Sequence, residues 1–322
     1  MEALVSVIMP TYGVEKFIEQ SIYSVINQTY GNIEIIIVDD ETKDKSVEIA
    51  ERVLASSSRP FKIIHEYNKG LPGARNNGYK SASGEYVCFI DTDDVISKDH
   101  ILNLMNMVKK ENLSVAFSDF ECTTLNNREG NDNTYQMQQV YSRDSFLTMF
   151  MKRNPAVHCC SMLFRRSMLE DNGLYFNEKL RYGEDAEFMW RVFSANTRIG
   201  HYKQKSYKYL IRSNSIMTTV GMERGIVFSE ELKKTLDQLK IDYPQYKSVY
   251  DMAYCRYMLG WLRTVAINSN FDMFRKCTEI IPYKILMKQL KKFPDIKVRF
   301  SARLLLLSRY LFYKVFNTTK AS

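Results

Sequence analysis

The chain has 322 residues, of which 45% are hydrophobic, 13% aromatic and 25% charged, enough to bury a full α/β domain with an added region. No run of eighteen apolar residues occurs, and the N-terminus enters a strand pattern without a basic region or cleavage site, so neither a membrane span nor a signal peptide is expected. The net charge of +8 sits in the tail: residues 285–322 carry nine basic side chains against one acidic and leave 36 of each sign elsewhere, which argues against general nucleic-acid binding by the main body.

In chain order, apolar runs at 5–9 and 33–38 read as strands, and Phe17, Ile18, Ile22, Val25 and Ile26 recur between them at helical spacing. A crossover of that length makes the two strands parallel. A second helix is expected over 47–54, a strand over 61–64, a third helix over 72–82 and a fourth strand from Tyr86. Strands alternating with helices predict a doubly wound, mainly parallel sheet, in which ligands collect beyond the carboxyl ends of the strands. Those ends carry Thr11, then Asp39 and Asp40, then Asp91, Thr92, Asp93 and Asp94.

Three carboxylates in four residues repel one another, so a cation is expected where the fourth strand stops; oxygen donors select a hard divalent ion such as Mg2+ or Mn2+. Residues 68–76 add glycines and Arg75 at a helix start, where amides and a guanidinium can meet phosphate. No GxGxxG follows the first strand, which excludes the usual dinucleotide site.

Further on, residues 115–120 read as a strand, 126–133 as a polar loop and 158–164 as a buried strand whose His158, Cys159 and Cys160 belong to the core. The six cysteines have no metal-ligand spacing and read as reduced thiols of a cytoplasmic protein. Glu184 and Asp185 open a helical pattern, where the helix dipole favours ionised carboxylates. From about residue 223 the pattern is helical to the end, interrupted by Pro282 and Pro294.

Five blocks together carry a resemblance: residues 6–12 (SVIMPTY), 24–30 (SVINQTY), 34–40 (EIIIVDD), 70–76 (GLPGARN) and 89–94 (FIDTDD). The first 220 residues resemble the family 2 glycosyltransferases of bacterial surface-polysaccharide synthesis. The resemblance implies a GT-A fold over 1–220, with a nucleotide-binding half over about 1–120 and an acceptor-side half over about 121–220. It further implies a UDP-sugar donor, a divalent metal (Mn2+ or Mg2+) and a saccharide or lipid-linked acceptor.

By matching blocks, Pro10, Thr11, Tyr12, Asp39 and Asp40 fall in the nucleotide site, with Thr11 and Asp39 at the base. Arg75 pairs with Asp91 and the donor diphosphate, while Asp91, Thr92 and Asp93 surround the ribose and metal, with Asp93 and Asp91 as its ligands. Asp185 is the catalytic base of an inverting transfer and Glu184 orients the acceptor or sugar. Arg212 and Ser215 lie in the segment that folds over the pyrophosphate. Two departures stand out: Gly13 where the family commonly has Asn, and Glu41-Thr42-Lys43 where it has Gly-Ser-Thr. They leave a catalytically silent sugar-nucleotide-binding or membrane-associated scaffold as an alternative, with a nucleotidyltransferase as a third reading.

The region 221–322 is expected to be helical. Over 298–316 a single helix would gather Arg299, Arg303 and Lys314 in one arc, with Phe300, Leu304, Leu307, Leu311 and Val315 facing largely away. Such a helix either lies peripherally on an anionic membrane surface, through 298–322, or packs on the catalytic domain.

Overall fold

A computed structural model describes residues 2–67, 69–123, 137–211 and 222–318. The chain divides into two compact units, one of residues 1–146 and 156–212, the other of 147–155 and 213–322. The first unit begins with β1 (Val5–Thr11), α1 (Ile18–Ile26), β2 (Ile33–Asp39), α2 (Ser46–Ala55), β3 (Phe61–His65), α3 (Gly70–Lys80) and β4 (Tyr86–Phe89). It continues through β5 (Val95–Ile96), α4 (His100–Glu111), β6 (Val115–Thr123), β7 (Gln138–Ser142) and the start of α5 (Arg143–Lys152). After the second unit's residues 147–155 come β8 (Met162–Arg165), α6 (Arg166–Asp171), α7 (Glu184–Ala195) and β9 (Arg198–Leu210).

One nine-stranded sheet runs β3-β2-β1-β4-β8-β6-β9-β5, with β7 also paired to β9. β3, β2, β1 and β4 are parallel, as the alternating pattern predicts, and every residue of β1 and β2 is buried, which is why they read as mostly apolar runs, interrupted only by Ser6 and Glu34 before their polar ends. The register sets Thr11 beside Asp39 and Ile8 beside Phe89, so the polar residues after these strands emerge at one end of the sheet.

The other half of the sheet departs from the expectations. The strand expected over 158–164 opens instead as a 3-10 turn, Cys159–Ser161, in which the Ser161 hydroxyl is drawn to the carbonyls of Ser118 and His158; only Met162–Arg165 is extended. The 13-residue β9 goes unread in the sequence because Lys203, Lys205 and Lys208 interrupt its apolar residues. It is parallel to β6, with irregular register around Asp119, and its opposite edge takes β7 on residues 198–202 and β5 on residues 207–208.

The second unit holds α8 (Met222–Asp242), α9 (Lys247–Asn268), α10 (Phe271–Ile280), α11 (Tyr283–Gln289), α12 (Ile296–Leu307) and α13 (Arg309–Asn317), packed around Tyr250, Trp261, Phe274 and Phe312. The single helix expected over 298–316 is broken. Ser308 is extended (φ −157°, ψ 121°), and its hydroxyl accepts the Leu311 amide at 3.2 Å to start a new helix. The break turns Phe312 flat against Phe274, with ring centroids 5.6 Å apart and planes at 10°. Among the described residues no helix is long and apolar enough to cross a membrane.

Candidate active site

The site is assembled around one buried cation. Arg75, on α3 and 2% exposed, donates from one terminal nitrogen to Asp91 Oδ1 at 2.9 Å and from the other to Glu184 Oε1 at 3.0 Å. Its guanidinium carbon lies 5.1 Å from the centre of the Phe176 ring. One side chain thus joins the end of β4 to the start of α7, and its arm to Glu184 spans 109 residues of sequence. Pairing with Asp91 agrees with the family pattern, but the second arm goes to Glu184, and little surface remains for a donor diphosphate.

The four acidic groups differ in environment. Burial favours a neutral Asp91, but the Arg75 guanidinium outweighs it and holds the carboxyl below the usual range. Burial, then the neighbouring Asp185 charge, pushes Glu184 up to about 7 despite Arg75. Asp94 is fully buried; it accepts the Tyr207 hydroxyl at 2.5 Å and the Leu210 amide at 2.8 Å, and burial with the charges of Asp93 and Asp91 lifts it to about 8. Asp185 stays partly exposed on the first turn of α7, where its Oδ1 accepts the Ala186 amide at 2.7 Å. Gly183, at φ +72°, supplies the left-handed turn that aims this helix start.

With Asp94 drawn inward, Asp91 and Asp93 are the side chains that could hold a divalent ion. Asp93 borders a cleft also lined by Phe17, Thr123 and Lys208. Among the described residues no group of three or more His, Cys, Asp or Glu side chains is arranged to hold a metal. A pair of carboxylates suits a hard ion that draws its remaining ligands from phosphate and water.

At the neighbouring strand ends Thr11 is buried and Tyr12 is 61% exposed. Asp39 accepts the Thr42 amide at 2.8 Å and meets His65 Nδ1 at 3.0 Å. Asp40 accepts the Lys69 and Gly70 amides at 2.6 and 2.8 Å, which satisfies the start of α3. The Thr92 hydroxyl donates to the Pro10 carbonyl at 2.7 Å and ties the acidic loop to β1. Arg212 and Ser215 lie outside the described residues.

Both departures from the family pattern occupy left-handed backbone, Gly13 at φ +65° and Glu41 at φ +64°. Gly and Asn both tolerate that region, so Gly13 is a conservative exchange, whereas Glu41 is strained.

His158, assigned to the core, is instead partly exposed, and its ring stacks on Tyr207, whose hydroxyl is held by Asp94. Its place next to two buried cysteines disguises it in the sequence.

The family model for glycosyl transferase family 2 matches residues 6–173. The chain belongs to glycosyltransferase family 2. The uncharacterized glycosyltransferase EpsJ of Bacillus subtilis is 29% identical over 306 residues, covering 91% of this chain and 88% of that protein. WfgD of Escherichia coli, a UDP-Glc:alpha-D-GlcNAc-diphosphoundecaprenol beta-1,3-glucosyltransferase, is 32% identical over 180 residues, 56% of this chain and 67% of its own. The crystal structure of S. aureus TarS 1-349 in complex with UDP-GlcNAc matches with a TM-score of 0.65 at 20% identity, over 99% of this chain and 91% of that one. This glycosyltransferase therefore has the GT-A fold, with a C-terminal helical region.

Proposed function

We propose that this family 2 glycosyltransferase is an inverting enzyme that moves a sugar from a UDP-sugar to a saccharide or lipid-linked saccharide acceptor in bacterial polysaccharide synthesis. The observation that carries the reading is the Arg75 bridge, which fastens Asp91, just after β4, to the helix start bearing Asp185. The UDP-GlcNAc named for TarS supports a UDP-linked donor, and the diphosphoundecaprenol named for WfgD supports a lipid-linked acceptor.

Thr11, Asp39 and the exposed Tyr12 ring receive the base at the ends of β1 and β2. Asp185, on the first turn of α7, takes the proton of the acceptor hydroxyl as that oxygen attacks the anomeric carbon. The bond from that carbon to the diphosphate oxygen breaks, and UDP leaves with the electron pair. A divalent ion held by Asp91 and Asp93 would balance the charge on the departing diphosphate. Arg75 keeps Asp91 and Glu184 in place, and Glu184 orients the sugar or the acceptor.

Asp185→Asn should lower transfer by about 10²- to 10⁴-fold while UDP affinity, measured by calorimetry, stays within the wild-type range. Near-normal turnover would remove Asp185 as the base. A panel of UDP-sugars tested for manganese-dependent hydrolysis identifies the donor.

The reading extends to peripheral attachment at the inner face of an anionic membrane. On α12 and α13 the packed side is Val298, Ala302, Leu305, Phe312 and Phe316. The exposed side combines Phe300 (61%) and Leu307 (78%) with Leu311, Arg303 and Lys314. Exchanging both Phe300 and Leu307 for Glu should weaken flotation with phosphatidylglycerol vesicles about tenfold or more. Unchanged flotation would rule this face out.

A further inference from the structure

The mechanism above leaves His158 without a task, although its surroundings fix it closely. Its Nδ1 accepts the Cys160 amide at 3.3 Å, at the start of the 3-10 turn. In a neutral imidazole the proton then belongs to Nε2. Burial pushes the ring below the usual histidine range and so favours this neutral form, and Arg75 adds to the effect against the pull of Asp91 and Asp185.

The ring is clamped as well as capped. It stacks on Tyr207 with centroids 5.0 Å apart and planes at 25°, and has Tyr209 at 5.2 Å and Phe120 at 5.4 Å. Tyr207 is itself held by its hydroxyl on Asp94. Among the described residues Nε2 has no hydrogen-bond partner, and the side chain keeps some surface. A rigid N–H donor is thus presented two residues from Cys160, whose Sγ accepts from Arg75 at 3.6 Å, and Arg75 bridges Asp91 and Glu184, the groups that the proposed mechanism sets at the donor and at the sugar or acceptor. What lies between those groups during transfer is the sugar itself.

We propose that His158 is a specificity-determining residue whose Nε2–H donates to an oxygen of the transferred sugar. This rests on the UDP-sugar reading. His158→Asn keeps an acceptor for the Cys160 amide and loses the Nε2 donor; His158→Gln keeps an N–H at the reach of Nε2. The probes are UDP and either UDP-glucose or UDP-N-acetylglucosamine, whichever the full-length protein hydrolyses faster.

With His158→Asn the Kd for the UDP-sugar should rise about three- to tenfold, the loss expected for one hydrogen bond, while the Kd for UDP stays unchanged. His158→Gln should recover most of the difference. If His158→Asn does not fold, His158→Phe, which keeps the ring stack without either nitrogen, should give the same split. Equal weakening of UDP and UDP-sugar would make His158 a structural clamp and overturn the proposal, as would no change in either. Failure of the wild-type protein to bind UDP would overturn the donor reading, and this inference with it.

Discussion

The acidic pair closing β2 and the acidic run following β4 occupy the same end of one parallel sheet, yet their side chains are used differently. Asp39 and Asp40 accept the amides of Thr42, Lys69 and Gly70, all within 30 residues of them, and Asp39 also meets the exposed His65. Asp91 is fixed by the Arg75 side chain, which also reaches Glu184, and Asp94 by Tyr207, 113 residues away. Carboxylates answered by backbone amides build turns and helix starts. Those answered by side chains of other elements, one of them shared with Glu184, join separate parts of the fold into one site, and their removal should be felt further away.

The largest effect that would test this contrast is at Arg75. Arg75→Met leaves the buried Glu184 and the half-buried Asp91 without their shared cation and should cost about 3–5 kcal/mol in urea unfolding. A loss below about 1 kcal/mol would mean the two carboxylates are not energetically joined. Asp40→Ala, which removes a backbone-directed acceptor at the start of α3, should cost about 0.5–2 kcal/mol with little change in Asp185-dependent chemistry. If it instead abolished transfer while leaving stability intact, the β2 pair would belong with the β4 run. The smallest effect has the opposite sign: Glu41→Gly relieves a left-handed backbone and should raise stability by about 1 kcal/mol, read as a higher urea midpoint at unchanged slope.

Much of this organisation is legible before folding is considered. The largely apolar runs of β1 and β2 announce strands buried on both faces, and the polar residues at their ends announce a sheet end that binds something. Asp91 and Arg75 can be matched as partners because the family blocks that contain them are well marked. By contrast Tyr207 and His158 carry no such signal. Tyr207 lies in a lysine-interrupted strand, and His158 adjoins two cysteines whose burial suggests that it too is core. The break at Ser308 is equally hidden, because a lone serine inside a helical pattern does not reveal that a ring pair four residues on is better packed by two helices.

The order of residues alone determined the four parallel strands, the polar strand ends and the family to which the chain belongs, since hydrophobic periodicity and short motifs depend on near neighbours. Only the folded chain decided that Arg75 is shared between Asp91 and Glu184, that Asp94 turns inward to Tyr207, and that His158 stacks on that same tyrosine. Those relations depend on strand order and on desolvation across more than a hundred residues, and spacing along a sequence records neither.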